Sequence, residues 1–201
     1  MRKDLNKLAS SIQQKCEQFQ IDLDINWVRR DQNKVADKLS RFVDLDDFGV
    51  SEKLVEMVSK SWGKCSVDRF ATDKNTKFTR FNNKFCCPRS ETIDAFAQNW
   101  EEDFNWLVPP PILVPETVRH LLLCKAKGVL ITPAWKSARY WPLLFPCKQP
   151  AWFVKDFFEI PQGGQFIIPG EQPGSIFTPG RFKGKLLAVL LDATAQNTLK
   201  E

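Results

Sequence analysis

The sequence predicts an α/β protein built on a parallel sheet, and three observations carry that prediction. Between Asn105 and Thr132 an apolar strand, an amphipathic helix and a second apolar strand follow one another, each stopped by proline or glycine. The first 41 residues alternate helix, strand and helix patterns. Residues 151–180 are broken repeatedly by proline and glycine, from Pro161 to Gly180, into short runs that read as β-turns and short strands. The chain has 201 residues, 43% of them hydrophobic and 26% charged, with a net charge of +5. That length suffices for one full core, and the composition excludes a disordered chain, a collagen-like chain and a disulfide miniprotein.

Taken in order, residues 3–19 form an amphipathic helix, because Leu5, Leu8, Ala9, Ile12, Cys16 and Phe19 keep the spacing of one buried stripe. At 21–28 the period changes to two. Ile21, Leu23, Ile25 and Trp27 face one way and Asp22, Asp24 and Asn26 the other, as in a strand with one wet face. Residues 33–41 form a short helix, and Asp44, Asp46, Asp47 and Gly49 read as a linker. A helix near 51–60 follows, with Ser51 as its cap. Val67–Phe70 is a candidate strand, leading into a polar, basic loop through Asn75, and Thr92–Trp100 is a candidate short helix.

Asn105–Val108 is then a strand that stops at Pro109, Pro110 and Pro111. Pro115 opens a helix at its first position, Val118, Leu121 and Leu122 give it an apolar stripe, and Gly128 closes it as a left-handed cap. Val129–Thr132 is a second strand, ended by Pro133, and Leu186–Leu191 is a last strand or helix. A strand-helix-strand unit of this length implies parallel pairing through a right-handed crossover. The Pro109–Pro111 loop and the Pro133-Ala134-Trp135 loop therefore leave the carboxyl ends of neighbouring strands, the edge where open α/β sheets bind ligands.

The entire surplus of +5 lies in residues 51–90. There Lys64, Arg69, Lys74, Lys77, Arg80, Lys84 and Arg89 interleave with Phe70, Phe78, Phe81 and Phe85. Basic residues among aromatics suit a surface that tracks phosphates and stacks bases, so DNA or RNA is the expected partner. The alternative is that the phenylalanines are core and the charges a solvated face. His120 has no second histidine or cysteine partner in the pattern, which supports neither a zinc site nor a serine-histidine-aspartate triad. Cys16, Cys65, Cys86, Cys87, Cys124 and Cys147 form no CxxC pair and are expected to be free thiols. No phosphate-cradling glycine motif is present. No apolar run has the length of a bilayer, and the opening MRKDLNKLASS lacks a signal-peptide core. An intracellular protein, cytoplasmic or nuclear, with no membrane partner is expected.

Two stretches resemble known families. In residues 1–41, a helix and an alternating strand ending in Trp27-Val28 precede an arginine and Asn33-x-x-Ala36-Asp37-x-Leu39-Ser40-Arg41. This resembles the end of the RNase H domain of reverse-transcribing elements, with Arg29 in place of the usual proline. The resemblance implies that Asp37 matches the last of four carboxylates that hold two metal ions. The other three have no counterpart here, so magnesium is not expected. In residues 62–145, Trp62-Gly63, Val67-Asp68-Arg69-Phe70-Ala71, Asp94-Ala95-Phe96, Asn105-Trp106-x-x-Pro109-Pro110-Pro111 and Pro133-x-Trp135 resemble the block that follows RNase H in tyrosine-recombinase retrotransposons of the DIRS group. That block is similar in turn to Dam-type adenine-N6 methyltransferases. Their Asn-Pro-Pro-Tyr motif supplies an acceptor for the adenine amino group and a ring that stacks on the extruded base. Here the matching residues are Val108-Pro109-Pro110-Pro111, which keep two prolines and neither reagent. Trp106 or Trp135 could supply a stacking face.

The resemblance implies a Rossmann-like methyltransferase-type sheet with flanking helices over residues 61–195. A truncated RNase H-like helix-strand-helix over 1–45 and a linker and helix over 46–60 precede it. No cofactor is expected; the alternative that the resemblance leaves open is S-adenosylmethionine, held by Asp68, Pro109, Pro110 and Pro133. The expected function is a non-catalytic nucleic-acid-binding domain of a retrotransposon polyprotein, with the rest of that polyprotein as a partner. The alternatives are an inert structural remnant or a residual S-adenosylmethionine-binding DNA adenine methyltransferase.

Overall fold

A computed structural model of the chain describes residues 2–24, 26–29, 31–33, 46–85, 87, 89–170, 175–178 and 180–194. The expected short helix carrying Asp37 lies outside the described residues, as does Cys86. The chain divides into two compact units, Met1–Phe42 and Val43–Glu201.

In the first unit helix α1 spans Arg2–Gln18, close to its expected bounds. Its stripe of Leu5, Leu8 and Ile12 is exposed, as is Phe19 just beyond it. The expected strand does not form in the described part of 21–29, and Trp27 is 85% exposed. Alternation marks a face but supplies no ladder. A strand needs a neighbour to take its backbone groups, and none pairs with this segment among the described residues.

The second unit contains β1 (Phe48–Val50), α2 (Glu52–Trp62), β2 (Val67–Asp68), β3 (Arg80–Asn83), β4 (Thr92–Ile93) and β5 (Phe104–Leu107). It continues with α3 (Val114–Leu123), β6 (Lys127–Pro133), α4 (Trp141–Leu144), β7 (Val154–Ile160), β8 (Ile167–Pro169) and β9 (Leu186–Asp192). Seven strands form one sheet in the order β4-β3-β2-β5-β6-β9-β7. From β4 to β6 every pairing is parallel. β9 runs antiparallel to both of its neighbours, β6 and β7. The strand-helix-strand unit β5-α3-β6 stands as expected, and the sheet is α/β and mostly parallel.

Side chains alternate between two cores, which is why the central strands read as continuous apolar runs. Leu107, Leu130 and Val189 join α3 through Val118 and Leu121. Trp106, Val129, Ile131 and Ala188 join α2 through Leu54 and Val58 on the other side. No helix among the described residues is long and apolar enough to cross a membrane.

Three local expectations are corrected. The linker expected before the helix near 51–60 is instead a strand, while that helix stands as α2. β1 pairs antiparallel with β8, and Phe48 is buried and stacked on Phe177 with ring centroids 4.5 Å apart. Thr92–Trp100 is not a helix but β4 followed by a 3-10 turn at Ala95–Ala97, because Asp94 leaves the helical region with φ 53° and caps the turn instead. Gly128 does not cap α3, which ends earlier; Lys125 takes the left-handed conformation at φ 50°. Gly128 lies inside β6, where a Cβ would stand 2.7 Å from the Asn105 carbonyl oxygen. Glycine is used there for close strand approach.

Candidate functional site

The sheet order reverses between β2 and β5, and the loops that leave their carboxyl ends diverge there. In open α/β sheets this crevice takes the ligand. A cleft of about 410 Å³ occupies it. Phe70, Ala71 and Thr72 enter from the loop after β2, Asn83, Lys84 and Phe85 from the end of β3, Asp94 and Phe96 from the turn after β4, and Pro110 and Leu113 from the turn after β5.

The loop after β2 is held by Asp68, which is 3% exposed. Its carboxylate accepts the Phe70 N–H and the Lys77 N–H, each at 3.3 Å, and so ties the two ends of the loop together. Burial pushes the Asp68 carboxyl up to about 7, against the lowering effect of those two N–H donors. Between them Asn75 Oδ1 accepts the Thr72 N–H at 2.6 Å, closing the loop on itself. The resemblance assigned Asp68 to the cofactor; here it does not line the cleft and shapes the loop that does.

The aromatic wall is built on Phe70 and Phe96, edge to face at 5.5 Å, with the buried Trp100 behind them. Asp94 N-caps the turn that carries Phe96, accepting the Phe96 N–H at 3.1 Å. A non-glycine residue with positive φ at a ligand-binding edge is a strained backbone held by its surroundings, a feature that clusters at binding sites.

The remaining expected site residues fall as follows. Val108, Pro109, Pro110 and Pro111 are all buried. Pro110 lines the cleft, and Pro109 does not. The Pro133 carbonyl accepts the Tyr140 hydroxyl at 2.7 Å. Trp106 is core, packed on Phe78, and Trp135 stacks on Phe177 at 6.1 Å. His120 is half-buried against Trp100, with Nε2 2.9 Å from the Gln98 carbonyl oxygen and 3.4 Å from Cys124 Sγ, which docks α3 on the neighbouring turn. Among the described residues no group of three or more histidine, cysteine or acidic side chains is placed to hold a metal ion.

The expected basic face is corrected most at its arginines. Arg69 is 4% exposed. It donates to Asn105 at 2.7 Å, to Asn82 at 2.8 Å and to Asp103 at 2.8 Å, so it braces β2, β3 and β5 from inside. Arg80 forks onto Glu91 and also reaches Asp103, and the hydrogen bonds it donates to these carboxylates hold its guanidinium firmly charged. Arg89 pairs with Asp73 at 3.0 Å. Phe78 and Phe81 are core. Arg80 and Arg89 are exposed but paired, and the surface also carries Lys64, Lys74, Lys84 and the half-buried Lys77, with Phe85 70% exposed and the Lys84 ammonium 5.7 Å from its ring centroid.

Asp94, Phe96 and Leu113 were not singled out as site residues from sequence. The signal available was an aspartate directly after a short strand that runs parallel to β3, and that strand is two residues long. No protein-family model matches the chain, and no curated protein matches it.

Proposed function

We propose that residues 46–194 are a methyltransferase-type shell that binds an adenosyl-bearing ligand of the S-adenosylmethionine class without transferring its methyl group. The observation that carries this reading is the cleft across the β2/β5 reversal, of a size suited to such a ligand. The sheet order supports it. Numbered along a parallel doubly wound sheet it is 3-2-1-4-5-7-6, which is the dinucleotide-binding order with an antiparallel last strand wedged in, as a methyltransferase-type sheet has.

The lining fits an adenosyl group better than a phosphate-bearing one. Phe70, Phe96 and Leu113 offer apolar and aromatic surface to a ring, and Asp94 offers an acceptor to hydroxyl or amino groups. The acidic Asp47 and Asp94 offset Arg69 and Lys84 in the lining, so the cleft has no net positive charge for a phosphate, and the loop after β2 contains no glycine to bring backbone N–H groups against one. When bound, S-adenosylmethionine would supply an activated methyl group. Val108 and Pro111 stand where an acceptor and a stacking ring would be needed to use it.

The test is thermal melting of the full chain with S-adenosylmethionine, S-adenosylhomocysteine and ATP in turn. A ligand at a hundredfold over its dissociation constant adds about 2.7 kcal/mol to the native state. The two adenosyl ligands are expected to raise the melting temperature saturably, ATP to do less, and Asp94→Asn with Phe96→Ala to abolish the shift. No adenine methylation of DNA is expected. A flat response to both adenosyl ligands removes this reading.

A second reading is favoured by the pairing of Lys84 with the exposed Phe85 on the cleft rim. There a nucleic acid would meet a cation beside a stacking ring, with Lys64, Lys74 and Lys77 extending the contact. Descent from a retrotransposon polyprotein is part of both readings and rests on the two motif blocks lying in that order. Charge reversal at Lys64, Lys77 and Lys84 that leaves DNA and RNA affinity unchanged would eliminate the nucleic-acid reading.

A further inference from the structure

A second cleft, of about 560 Å³, lies between the first half of α3 and the loop that leaves β6. Its near wall is Pro111, Glu116 and Arg119, and its far wall is Trp135, Arg139 and Leu143. Pro110 lines the first cleft and Pro111 the second, so the two share one turn as their common wall.

Six of the arginines among the described residues fall into two groups. Arg29, Arg69, Arg80 and Arg89 each meet a carboxylate. Arg119 and Arg139 meet none among the described residues, and they stand on opposite walls of one cleft. Glu116 is the single acidic residue in the lining, so the cleft carries a net positive charge. Arg139 is on a fixed loop. Tyr140 next to it is buried and donates its hydroxyl to the Pro133 carbonyl at 2.7 Å, and the Ala138 N–H donates to the Trp135 carbonyl at 3.0 Å. Two guanidiniums on a rigid frame, beside the apolar surface of Trp135 and Leu143, match a phosphate joined to a sugar and base.

We infer that this second cleft binds a phosphate group, as monoester or diester, through Arg119 and Arg139. This is independent of the first cleft, where Asp47 and Asp94 are balanced by Arg69 and Lys84. It also puts the chain's anion-binding arginines at the β5/β6 edge, away from residues 64–89.

The experiment uses the full chain at low salt with two probes, adenosine 5′-monophosphate and a single-stranded oligothymidylate, followed by calorimetry and fluorescence anisotropy. At least one probe is expected to bind, and Arg119→Gln with Arg139→Gln to weaken that binding by about tenfold or more. Arg119→Lys with Arg139→Lys should keep part of it. Both arginines are exposed, so the melting temperature and the response to S-adenosylmethionine should not change. Binding of the monophosphate alone identifies a free nucleotide as the source. Binding of the oligonucleotide with a steep salt dependence identifies a phosphodiester backbone. The inference is overturned if neither probe binds, or if the double glutamine variant binds both as tightly as the native chain.

Discussion

Asp68 and Arg69 adjoin in sequence, are both buried, and do different work. Arg69 has three acceptors and a carboxylate among them. Its replacement by alanine takes the partner from the buried Asn105 and Asn82 carbonyl oxygens, while Asp103 keeps Arg80 and Ser66, and should cost roughly 1–3 kcal/mol per orphaned acceptor in denaturant melts. Asp68 has two N–H donors and no ion pair, and burial raises it from 3.8 to about 7. A carboxyl raised in the folded state contributes stability that is full below its unfolded value and lost as pH rises through the folded one. The chain should therefore gain melting temperature as pH falls from 8 toward 5, and Asp68→Asn should flatten that rise. Asp103 acts in the opposite sense. Burial alone would raise it, but hydrogen bonds from Arg80 and Ser66 and the two guanidiniums hold it below the ordinary range, so its contribution is lost only in acid. Burial, then the nearby Asp68 charge, pushes the Cys65 thiol up to about 12. In the native chain a thiol-alkylating reagent should modify the exposed Cys147 and spare Cys65, as peptide mapping would show. The run of cations and phenylalanines in 64–89 was visible in sequence; the role of its arginines was not. A basic-aromatic interleave is the same string whether its partners are phosphates or, as for Arg69, an asparagine 36 residues away.

At the scale of elements, legibility followed the range of the pairing. β5-α3-β6 could be read because apolar runs, a proline start and proline stops are local signals. β1 and β4 could not, being only three and two residues long, and β8 was legible only as one of the short strands of 151–180, without its partner. β1 meets β8 across more than half the chain, and the acidic residues before it look like linker. That misreading has a direct test. A chain beginning at residue 61 lacks Phe48, Val50, Leu54 and Val58 from one core and should lose cooperative melting, whereas one beginning at residue 46 should keep it. Gly128→Ala probes the opposite kind of element contact. Its Cβ would press on the Asn105 carbonyl, and overpacking of that sort costs roughly 1–3 kcal/mol.

For the molecule as a whole, the division at Phe42 predicts that residues 43–201 melt within about 2 °C of the full chain, since domains carry their own cores. The sheet also has a consequence in time. β9 comes last among the described strands and lies inside the sheet, joining β6 to β7. A growing polypeptide emerges from its amino end. While it is being made, β6 waits with a bare edge and β7 with no neighbour at all. A message that stops before Leu186 would leave that gap permanently open, a template for sticking to other chains. The synthesis of Leu186–Asp192 thus decides whether the strands made before it become one continuous sheet.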